Sequence, residues 1–167
     1  MSFDKALPLL VGGIGTLEGP WLLHDNPKDS GGATYGGITR RSYEASGHAW
    51  PPTPPDGATW YRLTFWEKYR CGDIPEPADA VFFQLVVNLP TYARIPCLQA
   101  ALLVAPDGNW GPKTDLALAR CDRLELADAL LTAQAMHYAN VADPADWDWV
   151  GLFDRITKVQ KWLATVG

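Results

Sequence analysis

The chain is poor in cysteine, histidine and net positive charge, and each shortage removes a class of function. Its three cysteines, Cys71, Cys97 and Cys121, stand far apart in 167 residues. An odd, scattered set suits neither a disulfide framework nor a thiolate metal site, and it predicts idle or buried thiols in a protein made in a reducing cytosol. His24, His48 and His137 are equally dispersed, without the spacing that lets imidazoles share an ion. No metal site is expected. Lys and Arg number 14 against 19 Asp and Glu, for a formal charge of −5 and a pI near 5.0. Nucleic-acid binders present a basic face, so nucleic acid is not an expected partner. No apolar run is long enough to cross a bilayer, and stable membrane insertion is not expected. The N-terminal apolar stretch has no basic flank and is interrupted by Gly12, Gly13 and Gly15, so it does not read as a secretion signal.

What the chain does have is apolar mass. Hydrophobic residues make up 47% of it, enough for one compact domain, residues 1–167, around a sizeable core. Eight tryptophans are many for this length. Most are expected in the core, although an indole face also suits stacking on the apolar face of a pyranose ring.

Phe3, Leu7, Leu10, Ile14 and Leu17 recur at steps of four and three after Ser2, an N-cap residue type. This predicts a helix running to Leu17, stopped by Gly19-Pro20, with Glu18 at the edge of its buried stripe. A carboxylate at a helix C-terminus opposes the macrodipole, so the placement carries a small penalty without structural return. Residues 22–39 read as a small β or irregular element, with Ala33 to Thr39 a candidate strand and Thr39 opening a short helix. Pro51 to Pro55 is expected to be a stiff surface segment. Helices are expected over Thr59–Tyr69, over the apolar run Ala78–Val87, which periodicity alone would also allow as a strand, and from Ile95 or Pro96 onward. A long one should enter at Gly111-Pro112 and run to about Asn140, with Leu116, Leu124, Leu130 and Leu131 inward. Asp143-Pro144 breaks the chain before a last helix that turns Trp149, Leu152, Phe153, Ile156, Val159 and Leu163 inward. The fold class is therefore mainly α.

Glycosidic cleavage needs an acid to protonate the leaving oxygen and a second group to activate water or stabilise the developing cation. Glu18, beside an apolar stripe, is the candidate acid. Asp25 and Asp29 on the following loop are candidates for the second carboxylate, and Thr34 can position a water. Such a site uses side chains and water alone, so no cofactor is expected.

The ordered residues Glu18-Gly19-Pro20-Trp21, Asp25-Asn26-Pro27, Asp29 and Gly31-Gly32-Ala33-Thr34-Tyr35-Gly36-Gly37-Ile38-Thr39 resemble the signature of the glycoside hydrolase family 108 N-acetylmuramidases. Those enzymes occur in phage endolysins and in bacterial proteins linked to secretion. Phe65 to Arg70 is similar to the family's aromatic helix, and Val81 to Asn88 to its Phe-Asp-x-x-Val-Asn segment, with Gln84 in place of the aspartate. Leu98-Gln99, Asp107-Gly108 and Gly111 to Thr114 resemble the peptidoglycan-binding half that usually follows. Gly151 to Arg155 is similar to the closing Gly-Trp-x-x-Arg stretch. The resemblance implies a lysozyme-like helical domain, with a catalytic-motif half at 1–75 and a peptidoglycan-binding-like half at 76–167. It implies cleavage of the β-1,4 bond between N-acetylmuramic acid and N-acetylglucosamine, with Glu18 as general acid and Asp29 and Thr34 assisting. Asp25, Tyr35, Asn88 and Trp21 would bind substrate. Phage lysozymes with a Glu/Asp/Thr arrangement offer a mechanistic analogy, which implies inversion. The implied setting is a monomer made in the cytoplasm, in a phage-infected bacterium, and acting on peptidoglycan strands after release. The alternative is a catalytically weakened binding, virion-associated or secretion-linked module.

Overall fold

A computed structural model of the chain describes residues 2–13, 16–25, 32–141 and 149–166, with Trp149 described by its backbone. Ile14, Asp29, Gly31 and the Asp143-Pro144 break lie outside the described residues. The fold is mainly α, as expected, with a small three-stranded sheet.

Helix α1 spans Phe3–Leu10 and buries Phe3, Ala6 and Leu10. Here the structure corrects the expectation of a helix reaching Leu17. Val11 is already extended, and Gly12-Gly13 withdraw helical propensity at the point where the helix ends. The chain then doubles back along the end of α1. Leu17 N–H donates to the Leu9 carbonyl at 3.3 Å and Glu18 N–H to the Leu10 carbonyl at 2.7 Å. Two carbonyls that a helix C-terminus leaves open are thereby satisfied. Glu18 is not the last residue of a helix; it is clamped across the end of one.

The segment that follows forms β1 (Leu23–His24), β2 (Thr34–Tyr35) and β3 (Ile38–Thr39), antiparallel in the order β1-β2-β3. The expected single strand over Ala33–Thr39 is a hairpin instead. Its two-residue turn is Gly36-Gly37, with φ of 53° and 78°, and a tight turn of this kind needs the left-handed region at both positions. Thr39 caps α2 (Arg40–Ala45) by accepting from Ser42 N–H. The proline-rich segment is only partly the expected surface strap. Thr53 and Asp56 form a capping box, and Pro54-Pro55 open α3 (Pro54–Tyr61) at the positions where a missing N–H is harmless. Helix α3 runs on as a π-helical stretch, Arg62–Glu67, which buries Phe65 and Trp66.

Helix α4 (Ala78–Asn88) is the central element, with every residue from Ala78 to Val86 buried. Phe3, Trp66 and Phe83 meet edge-on around it, with ring centroids 5.4–5.8 Å apart. Helix α5 (Thr91–Ala101) starts five residues before Pro96, contrary to the expected start at that proline. Burial of Ala93, Cys97, Leu98 and Gln99 outweighs the one backbone bond that Pro96 forfeits. The predicted long helix to Asn140 is two helices, α6 (Pro112–Leu118) and α7 (Arg123–Val141). Between them Asp122 Oδ1 accepts from the N–H groups of Leu124 and Glu125 and starts α7 afresh. Leu130 and Leu131 are in the core, but Leu116 and Leu124 are exposed. Helix α8 (Trp149–Val166) turns Ile156 and Val159 fully inward, with Leu152, Phe153 and Leu163 packed at the edge of the core.

Candidate active site

Three separate pieces of chain meet at Glu18. The fold-back after α1 holds its backbone, the β2–β3 turn lies against its side chain, and α8 supplies a cation. Arg155 Nη2 donates to Glu18 Oε1 at 2.5 Å, and both side chains are mostly buried, 12% and 16% exposed. This ion pair joins positions 137 apart in sequence. The Gly37 backbone is so close that a Cβ there would stand 2.5 Å from Glu18 Oε2 and 2.7 Å from its Cβ. The turn therefore requires glycine for space as well as for conformation.

Tyr61 completes the surroundings. It is fully buried, its hydroxyl donates to the Gly36 carbonyl at 2.8 Å, and burial pushes its phenol well above the ordinary range. The Glu18 charge pushes in the same direction and Arg155 opposes it, so this group stays protonated and pins the turn in place.

A cavity of about 270 Å³ opens along Arg155, bordered by Leu17, Asn88, Leu152, Asp154, Arg155 and Lys158; Glu18 is not in its lining and adjoins it through Leu17 and Arg155. Asn88 is half-buried at the C-terminal end of α4 and accepts a hydrogen bond from the Tyr138 hydroxyl. Lys158 pairs with Asp154 on the same helix at 2.9 Å. A larger groove of about 600 Å³ runs between α5 and α7, past Tyr92, Cys97, Met136 and His137. Among the described residues it has no carboxylate in its lining, whereas the smaller cavity is lined by Asp154.

The structure brings some of the expected site residues together. Glu18 and the hairpin carrying Thr34 and Tyr35 are in one place, and Asn88 shares the cavity wall with Arg155. Thr34 is half-buried and pairs across the sheet with His24 and Thr39. Asp25 is exposed, one residue beyond the partner of Thr34. Asp29 lies outside the described residues. Trp21 is a wedge: a Cβ on Gly36 or Gly57 would come within 2.5–2.6 Å of its indole, and the ring stacks on Tyr35 with centroids 5.9 Å apart. Its indole ties the hairpin to α3 in addition to any contact with a ligand. Among the described residues no His, Cys, Asp and Glu cluster could hold a metal ion.

The comparison with known families falls on this same stretch. The matching family is glycosyl hydrolase 108. Its model matches residues 13–89, which include Glu18, the glycine hairpin and Asn88. The match covers a little under half of the chain, and that segment is similar to a family of glycoside hydrolases. A solved structure of Brucella abortus SagA is similar over 98% of this chain and 94% of that chain, with a TM-score of 0.79 and 23% identity. At that identity the likeness speaks for the fold. No curated protein matches the sequence.

Sequence reasoning did not assign roles to Arg155, Gly37, Tyr61 or Tyr138. Arg155 stood within the Gly151 to Arg155 resemblance, which was the available signal, but its partner could not be read from it. Gln84 also becomes intelligible. It is fully buried and donates to Gln134 Oε1 at 2.7 Å, so an amide meets an amide where an aspartate would bring an uncompensated charge.

Proposed function

We propose that this chain is a peptidoglycan hydrolase of the lysozyme type, cleaving the β-1,4 bond between N-acetylmuramic acid and N-acetylglucosamine with Glu18 as general acid. The observation that carries the reading is the setting of Glu18. Within the described part of the glycosyl hydrolase 108 segment, Glu18 is a mostly buried carboxylate backed by the guanidinium of Arg155, which itself lines a cavity. Protonated Glu18 donates to the leaving glycosidic oxygen. The carboxylate left behind then sits against Arg155, which balances the charge created by the transfer. Gly37 lets the hairpin approach without side-chain bulk and so fixes where the Glu18 side chain stands, and the sugar is held along the α8 wall of the cavity that Arg155 lines. Thr34 orients the attacking water from the hairpin, and Asp29 or Asp25 is the second carboxylate. Asn88 and Tyr35 hold the glycan. Residues 76–167 contribute the α8 wall and, in this reading, added affinity for the polymer. The protein works as a monomer on cell-wall glycan, reached after release from the cell that makes it.

The test uses purified peptidoglycan and counts new reducing ends, followed by identification of the terminal sugar. A new N-acetylmuramic acid end is expected, and Glu18→Gln should remove activity by several orders of magnitude while the protein stays folded. Full activity in that variant would sink the assignment of the acid. Binding of peptidoglycan without any new reducing end, from several wall types, would favour the binding-module alternative.

A further inference from the structure

A chain of polar side chains runs through the otherwise apolar interface between α4 and α7 and ends at the cavity beside Glu18. Gln84 and Gln134 are fully buried and Tyr138 nearly so. Gln84 Nε2 donates to Gln134 Oε1 at 2.7 Å, Gln134 Nε2 donates to the Tyr138 oxygen at 2.6 Å, and the Tyr138 hydroxyl donates to Asn88 Oδ1. Gln134 Nε2 also lies 3.5 Å from Gln84 Oε1, so the two amides pair with each other, and in this arrangement Gln134 presents its donor to Tyr138. A tyrosine hydroxyl that accepts from Gln134 has its single proton to give, and it gives it to Asn88.

The consequence falls on Asn88. Its oxygen is committed inward, so the part of the amide left for the cavity is Nδ2, which can only donate. Among the described residues Nδ2 has no hydrogen-bond partner, and Asn88 borders the cavity. Buried polar pairs in an apolar interface are costly unless every member is satisfied. Besides fixing how α4 and α7 pack, the chain orients one amide at the cavity.

We infer that Gln84, Gln134 and Tyr138 form a positioning relay that presents Asn88 as a fixed hydrogen-bond donor to the acetamido carbonyl of an N-acetylhexosamine. A sugar hydroxyl can meet a donor or an acceptor, whereas a carbonyl oxygen only accepts. A donor of fixed polarity therefore suits the acetamido carbonyl and opposes the ammonium of a de-N-acetylated sugar, which can only donate. This rests on the glycan-hydrolase reading above, and it adds the group that is recognised and the residues that set the recognition.

The experiment compares the wild type with Asn88→Asp and Tyr138→Phe, using a soluble N-acetylglucosamine–N-acetylmuramic acid oligosaccharide and its de-N-acetylated form. Kd is read by titration calorimetry, KM and kcat by reducing-end release, and Tm by thermal melting. Asn88→Asp keeps an oxygen for the Tyr138 hydroxyl but loses the outward donor. It should raise Kd and KM roughly ten-fold with kcat little changed, the size expected for one hydrogen bond to a ligand. The de-N-acetylated sugar should bind the wild type about as weakly, with no further loss in Asn88→Asp. Tyr138→Phe frees the amide to turn over and should raise KM by a smaller factor at unchanged kcat. Unchanged Kd and KM in both variants, with only Tm lowered, would overturn the relay and leave a structural network. A wild type that binds the oligosaccharide but releases no reducing ends would refute the hydrolase reading, while the same Kd pattern would still decide the relay.

Discussion

Replacing Gly37 by alanine separates the two demands that the β2–β3 turn makes on its sequence. The first is conformational: φ is 78°, and an L-residue in the left-handed region costs about 1–2 kcal/mol. For a domain of this size that lowers Tm by roughly 2–8 °C. The second is spatial. The new Cβ would stand 2.5 Å from Glu18 Oε2, 2.7 Å from its Cβ and 2.9 Å from its Cγ. Carbon and oxygen settle nearer 3.5 Å, so the carboxylate has to retreat by about 1 Å. Rotating the side chain does not suffice, because Glu18 Cβ is itself in the clash and its backbone N–H is tied to Leu10 at 2.7 Å. A displacement of about 1 Å at a reacting group costs on the order of 100-fold in rate. Gly47→Ala is the matched control, since Gly47 has φ of 86° and nothing within 4 Å of a built Cβ. Both variants should melt lower than the wild type, and only Gly37→Ala should lose roughly 100-fold in reducing-end release. Equal activity in the two would refute the claim that Gly37 sets the position of the acid.

Two further outcomes follow from named contacts. Arg155→Met breaks the Glu18 ion pair and should lower stability by about 1.5–3 kcal/mol in urea unfolding, the range for hydrogen bonds to charged groups. Wild-type stability would mean that the apolar face of α8 alone holds it in place. The Asp107 carboxyl is held below its usual range first by the Gln99 amide and then by Asn109 N–H, tying the Pro106-Asp107-Gly108 turn to α5. A depressed folded pKa gives stability that is present above the ordinary carboxylate range and disappears as pH falls through the lower folded value. Asp107→Asn should therefore flatten the acid side of the Tm-against-pH curve, and an unchanged acid slope would count against this contact.

Helical segments were legible from the chain wherever apolar content, periodicity and breaker residues agreed. The run from Ala78 to Val87 reads as a central helix, although its Val and Phe content would also suit a strand until α7 packs on it, and Gly111-Pro112 announced α6 by backbone chemistry alone. The sequence also singled out Glu18, through the order of motifs around it. Boundaries that depend on tertiary contact were beyond it. The first helix stops at Leu10 because the returning chain supplies donors to its last carbonyls, and no local pattern in Phe3 to Leu17 encodes that return. Pro96 sits within α5 because buried neighbours outweigh one missing bond. What surrounds the Glu18 carboxylate comes from the fold. Arg155 comes from 137 positions away, Gly37 acts through the side chain it lets approach, and the amide of Asn88 is oriented by Tyr138 from the facing helix. Each of these is an interaction between residues whose spacing in sequence carries no period, so chain order could name the carboxylate but not the partners that give it its chemistry.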